Sequence, residues 1–146
     1  RIQINIGVRH KTSDNIKERK AFTVGIADEK NLVAADYVGI VSGHDVPDKM
    51  EKSGFHVVKS EFVDAPVIQE LPIVLECKVE EIKQYNATLR IVAEIVNVNV
   101  EEAVLNEEGK IDPAKLQAIS YDPANHAYLK LGERVGTAFA DGNQLK

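Results

Sequence analysis

The chain has 146 residues, of which 44% are hydrophobic and 28% charged, and its formal net charge is −5. We expect one globular domain over residues 1–146, which is long enough to bury its own core. The negative charge disfavours general attraction to nucleic acid or anionic lipid, and no apolar run has the length of a membrane span.

Cysteine usage narrows the class of protein further. The one cysteine, Cys77, cannot form an intramolecular disulfide, and no set of Cys and His residues has the spacing of metal ligands. A chain without disulfides favours a reducing compartment, so we expect a cytoplasmic protein without a metal site. The alternating pattern around Cys77 predicts that its side chain is a small, buried, apolar group in a strand.

The first half of the chain alternates between strand and helix patterns. Isoleucine and valine occupy every second position at its start, which is the period of a half-buried strand. Thr12 or Ser13 can cap the helix that follows, Asp28 can cap the next, and Gly54 can close the last. The predicted elements are, in order, a strand at 2–8, a short helix up to residue 20, a strand at 21–27, a helix at 28–41 and helical turns at 47–53.

A long antiparallel hairpin dominates the second half. Residues 73–83 and 89–100 alternate in hydrophobicity on either side of a turn at 85–87. The apolar phase changes between Ile95 and Val96, which predicts a β-bulge or a bend. The other predicted elements are short extended pieces at 55–71, a turn at 106–109, a helix from Asp112 through Ile119, a loop at 121–125, a strand at 126–131 and a polar tail. The fold class is therefore mostly β with short helices, with a barrel-like sheet.

Three residues at a predicted strand-to-helix junction have the chemistry of a phosphate site. His10, Lys11 and Thr12 combine a cation and a hydroxyl with the backbone N–H groups of a helix start, all of which bind phosphate oxygens. The same residues also suit an ordinary capping turn with a surface lysine. Lys49 lies in a loop-rich segment and indicates little by itself.

A second candidate lies near the end of the chain. His126 is close in sequence to Tyr121 and Tyr128, and aromatic and imidazole groups beside a loop can line a planar ligand. Ordinary packing of the two tyrosines with an exposed histidine is the alternative. The catalytic residues are unknown at this stage, because the sequence has neither a Gly-rich phosphate loop nor a nucleophile elbow.

An ordered set of short motifs carries a family resemblance over nearly the whole chain. Together they resemble flavoredoxin and its relatives among the flavin reductase-like proteins. The motifs are, in chain order, His10-Lys11-Thr12, Ala21-Phe22-Thr23-Val24, the segment 35–43, Asp48-Lys49-Met50, Asp64-Ala65-Pro66, Leu75-Glu76-Cys77, Glu94-Ile95-Val96, the segment 109–112, Tyr121-Asp122-Pro123 and the segment 128–133.

The resemblance implies an FMN-binding split β-barrel that forms a homodimer, with FMN near the subunit interface. By the same resemblance, Lys11 and Thr12 hold the FMN phosphate and Lys49 also reaches it. The resemblance places His126 near the flavin ring or the partner subunit. With His10 from the same turn, these are the candidate cofactor-binding residues.

The resemblance also implies a function. We expect an FMN-dependent oxidoreductase that transfers electrons between NAD(P)H, or a small electron carrier, and flavin, with the cofactor supplying the chemistry. The alternatives are a non-catalytic electron-transfer module that binds FMN tightly and a ligand-binding dimer. Family members carry a further strand pair before the point that matches residue 1, so we expect the domain to lack its N-terminal strands here.

Overall fold

The computed structural model describes all 146 residues. The strands are β1 (Ile2–Gly7), β2 (Ala21–Ile26), β3 (Val57–Lys59), β4 (Pro66–Ile68), β5 (Ile73–Tyr85), β6 (Thr88–Val100), β7 (Ile119–Asp122) and β8 (Ala127–Lys130). The α-helices are α1 (Lys11–Arg19), α2 (Leu32–Ile40), α3 (Lys49–Ser53) and α4 (Pro113–Leu116), and short 3₁₀ helices lie at Glu102–Val104 and Asp141–Leu145. None of these helices is both long and apolar enough to cross a membrane.

A curled antiparallel sheet in the order β1-β6-β5-β2 forms the body of the molecule. The pairs β3–β4 and β7–β8 form two separate small hairpins. This arrangement confirms the mostly-β class with short helices, and it confirms the long hairpin, now β5–β6.

The main core lies on one face of this sheet, under α1. Its fully buried members come from alternate positions of the strands and from one turn of the helix, as a period of two and a period of 3.6 require. They are Ile16, Phe22, Cys77, Leu89, Ile91 and Ala93. Cys77 has no exposed surface, which confirms its prediction as a buried apolar group.

Two β-bulges interrupt the β5–β6 ladder. Glu76 pairs with Asn97 while Cys77 pairs with Ile95, so Val96 is the extra residue on β6. This confirms the irregularity predicted at Ile95 and Val96. A second register shift between Val79 and Glu81 adds an extra residue to β5. Bulges increase the local twist of a strand pair, which suits a sheet that curls.

The start of α2 differs from the sequence prediction. Asp28 does not cap this helix, since its backbone forms an isolated bridge with Ala118 and α2 begins only at Leu32. The Asp28 carboxylate instead accepts hydrogen bonds from the backbone and side-chain nitrogens of Asn31, at 2.9 and 2.8 Å. Because Asp28 pairs with Ala118, the helix begins about one turn later in the sequence than predicted.

The predicted helix through Ile119 is also too long. Asp112 caps α4 as expected, accepting from the backbone N–H of Ala114 at 2.9 Å. The helix ends at Leu116 because Gln117 adopts a left-handed conformation with φ of 50°. The chain then pairs in β7, so the loop predicted from Tyr121 begins two residues too early.

Candidate functional site

One cleft of about 470 Å³ lies between the helices and the edge of the sheet. Its walls are α1, β2, the end of α2, the start of α3 and the segment 64–66. The volume is typical of a small-molecule site. Four of the five candidate residues, His10, Lys11, Thr12 and Lys49, line it together.

The N-terminus of α1 opens into this cleft. His10 occupies the N-cap position with extended backbone but makes no side-chain capping bond. The backbone N–H groups of Lys11 and Thr12 have no acceptor within the chain, because a helix leaves its first N–H groups unpaired. The capping role predicted for Thr12 or Ser13 is therefore wrong: the Ser13 hydroxyl donates to the Gly7 carbonyl at 2.7 Å, and Thr12 faces the cleft.

Gly43 brings the two candidate lysines together. A Cβ atom at this position would lie 3.4 Å from Cβ and Cγ of Lys11 and 3.9 Å from Cε of Lys49. The side chains of Lys11 and Lys49 therefore flank the same backbone position. A larger residue at position 43 would fill the space between them.

The two lysines differ in what they already bind. Lys49 Nζ donates to the carbonyl oxygens of Val38 and Val41, at 2.7 and 3.0 Å, and so satisfies the last turn of α2. Since an ammonium group has three donors, Lys49 keeps one for a ligand. Lys11 makes no side-chain hydrogen bond or ion pair, so its ammonium group is available in full.

The opposite end of the cleft is formed by Arg19 and the loop 60–66. Arg19 lies eight residues after Lys11, which at 1.5 Å per residue places it about 12 Å further along the helix. Its guanidinium Nη1 lies 2.8 Å from Oδ2 of Asp64. Thr23 of β2 donates to the Pro66 carbonyl at 2.5 Å, which holds the same loop against the sheet.

The local charge of the cleft opposes the net charge of the chain. Its lining carries the cations Lys11, Arg19 and Lys49 and a single carboxylate, Asp64, whereas the whole chain has a net charge of −5. Helix α1 adds the positive end of its dipole. The cleft therefore suits an anion at the Lys11 end, because Asp64 already pairs with Arg19 at the other end.

The structure does not bring His126 into the cleft. This residue lies in the β7–β8 turn, where its Nδ1 atom is 2.9 Å from the Tyr121 hydroxyl oxygen. The Tyr121 and Tyr128 rings pack at 5.7 Å with a tilt of 55°. Tyr128 donates to Asp36 of α2 at 2.7 Å, and this hydrogen bond raises the pKa of Tyr128. Cofactor binding by His126 remains a prediction.

Two residues of the cleft were not predicted, although a pattern in the sequence could have indicated them. Asn15 and Arg19 both line it. They follow Lys11 at intervals of four, which places all three on one face of a helix. Asp64 had no such signal, because its position depends on the tertiary contacts of the loop 60–66.

Comparison with known proteins identifies the family and the fold of the chain. A model of the flavin reductase like domain matches residues 1–123. The flavoredoxin of Methanosarcina acetivorans is 28% identical and superposes with a TM-score of 0.90, covering 99% of this chain and 75% of that one. The flavoredoxin of Desulfovibrio vulgaris (Miyazaki F) is 32% identical with a TM-score of 0.86, covering 96% and 75%.

A more distant structure shows the fold alone. A split barrel domain protein from Shewanella frigidimarina NCIMB 400 is 18% identical with a TM-score of 0.72, covering 94% of this chain and 70% of that one. No curated protein sequence matches the chain significantly. The ordered motifs, the family match and the shared topology agree: the chain belongs to the flavin reductase-like family and has a split β-barrel fold.

Proposed function

We propose that the cleft binds FMN, with the phosphate at the N-terminus of α1. The observation that carries this proposal is the convergence of Lys11 and Lys49 on either side of Gly43, beside unpaired backbone N–H groups. A phosphate dianion takes charge-assisted hydrogen bonds from such a donor set. Gly43 leaves open the space that a side chain would otherwise occupy.

The positions of the lining residues indicate which part of FMN each of them would contact. Lys11, Thr12 and the remaining N–H of Lys49 would bind the phosphate, and His10 lies at the same turn. Apolar lining residues towards the Asp64 end of the cleft, among them Phe22 and Pro66, would exclude water from the rest of the molecule.

The corresponding function is that of an FMN-dependent oxidoreductase of the flavin reductase or flavoredoxin type. Bound FMN would supply the hydride and electron chemistry, and this chain would bind, orient and shield it. Electrons would pass between NAD(P)H, or a small electron carrier, and flavin. The flavoredoxins among the structural neighbours support this class of activity.

We further propose a cytoplasmic homodimer. Large apolar side chains remain more than half exposed on α2 and around β8, which is the type of surface that subunits cover. They are Val33, Ile40, Leu129 and Leu131. His126 lies on the same β7–β8 hairpin and would meet flavin only through such a partner.

The test is the visible absorption spectrum of the purified protein, with and without added FMN, before and after desalting. Flavin bands that survive desalting support the proposal, and a protein that retains no flavin contradicts it. Steady-state oxidation of NAD(P)H with added flavin then separates the two flavin-binding functions. Turnover indicates an enzyme, whereas tight binding without turnover indicates an electron-transfer module.

A further inference from the structure

Glu76 is a buried carboxylate on the face of the sheet opposite the main core. It alternates with Cys77 along β5, and only 1% of its surface is exposed. The loop 60–66 covers it. The bulge at Val96 turns the neighbouring Asn97 and Asn99 towards it, since regular pairing would have turned them to the apolar face.

The hydrogen bonds of Glu76 come from neutral donors. Oε1 accepts from the side-chain amides of Asn97 at 2.8 Å and Asn99 at 2.5 Å, and Oε2 accepts from the Ser60 hydroxyl. No cation lies among these partners. A buried carboxylate is tolerated only when its oxygens are satisfied in this way, so the network is a specific feature of the fold.

The bond from Ser60 to Glu76 organises the loop. Because the Ser60 hydroxyl hydrogen points at Glu76, its oxygen is free to accept the backbone N–H groups of Phe62 and Val63, at 3.0 and 2.9 Å. The backbone N–H of Ser60 also donates to the Ala65 carbonyl at 3.0 Å. The shape of the loop therefore depends on an acceptor at Glu76 Oε2.

This loop is a wall of the cleft. Its last residues, Asp64, Ala65 and Pro66, line the end remote from Lys11, about 12 Å along α1. A change at Glu76 would therefore disturb the part of the cleft that does not meet the phosphate.

We propose that Glu76 is a positioning residue of the flavin site, which fixes the loop 60–66 through Ser60 and so shapes the wall against the riboflavin part of the cofactor. This role rests on the proposed binding of FMN. It differs from phosphate binding because it acts on FMN and riboflavin alike. Glu76 itself does not contact the cleft.

Glu76→Gln is the informative change. The glutamine oxygen can still accept from both asparagines, but its NH₂ group then meets the Ser60 oxygen, whose acceptor positions Phe62 and Val63 already use. Glu94→Gln is the matched control, because Glu94 lies exposed on the neighbouring strand of the same sheet. Ser60→Ala removes the hydroxyl and is the second variant if Glu76→Gln fails to fold.

The experiment titrates wild type and variants with FMN and with riboflavin, and measures amide hydrogen exchange of the unliganded proteins. We expect Glu76→Gln and Ser60→Ala to lower the affinity for FMN and for riboflavin by the same factor, roughly tenfold or more. The backbone amides of Phe62 and Val63 should exchange faster in both variants than in the wild type. Glu94→Gln should match wild type in both measurements.

The outcomes separate this role from the proposed function. Wild-type protein that binds neither ligand overturns FMN binding and the role of Glu76 with it. Wild-type binding that the folded variants retain, or a loss confined to FMN, overturns only the role of Glu76.

Discussion

Arg19 and Asp64 join α1 to the loop 60–66 at one end of the cleft, with 2.8 Å between Nη1 and Oδ2. Both side chains are about half exposed, at 49% and 51%. Water and salt therefore screen the pair, and its contribution to folding is expected to be small.

Asp64→Asn should accordingly lower the free energy of unfolding by less than about 1 kcal/mol. Urea denaturation at low and high salt measures this, and the difference from wild type should shrink as salt is added. A loss well above that value, independent of salt, would contradict the assignment of the pair as a surface contact.

Lys11→Ala should weaken FMN binding with little effect on folding. Its ammonium group has no partner in the chain, and a charged hydrogen bond to phosphate is worth about 1.5–3 kcal/mol, or roughly 10- to 140-fold in affinity. Titration with FMN and riboflavin tests this, because riboflavin lacks the phosphate and should bind both proteins alike. Equal FMN affinity in variant and wild type would refute the phosphate assignment.

Lys49→Ala should differ from Lys11→Ala by lowering thermal stability as well. Its amino group satisfies the carbonyl oxygens of Val38 and Val41 at the end of α2, and the variant leaves them without this donor. Thermal denaturation of both variants without ligand is the measurement. The same melting temperature for both would show that the contacts of Lys49 with α2 contribute nothing to folding.

The contribution of Glu70 to stability should depend on pH. Partial burial raises the pKa of Glu70, but hydrogen bonds from the ring and backbone N–H of His56 outweigh it and hold the pKa below the ordinary glutamate value. A lowered folded pKa gives stability that is complete above the unfolded pKa and is lost as pH falls through the folded one. Wild type should therefore exceed Glu70→Gln in unfolding free energy at neutral pH, with a smaller difference near pH 3. A constant difference across this range would argue against the shift.

Cys77 should be unreactive in the folded protein. Burial raises the pKa of its thiol, and both the lack of thiolate and the lack of access slow attack on a disulfide reagent. Because it is the sole cysteine, a colorimetric thiol assay reports on it alone. We expect one equivalent of reactive thiol per chain in denaturant and only slow reaction of the native protein. Rapid labelling of the native protein would show that the core opens readily.

The sequence predicted the features that local pattern controls. The hairpin, its irregularity at Val96 and the burial of Cys77 all follow from the alternation along the strands. The family resemblance added the pairing of Lys11 with Lys49. The two residues are 38 positions apart, so their spacing in the sequence could not have indicated that they lie together.

The features that were missed depend on tertiary contacts. Asp28 pairs with Ala118 instead of capping a helix, and Gln117 ends α4 in a conformation that no local rule selects. The burial of Glu76 could not be read from its own strand, because the pattern of that strand does not encode the position of the loop 60–66. The family resemblance placed His126 near the flavin ring or the partner subunit. In this chain it lies outside the cleft, on the β7–β8 hairpin, so its contact with flavin stays a prediction.

The paired bulges of the β5–β6 hairpin also bear on how this scaffold could be altered. Glu80 and Val96 are the unmatched residues, one on each strand, so both strands keep 13 residues and the ladder closes evenly from Ile73–Val100 to Tyr85–Thr88. Either residue could be removed with every remaining pair still opposite its partner. The expected effect is a flatter sheet with the register of the strands unchanged. Removal of a residue elsewhere in these strands would exchange the two faces of the segment beyond it.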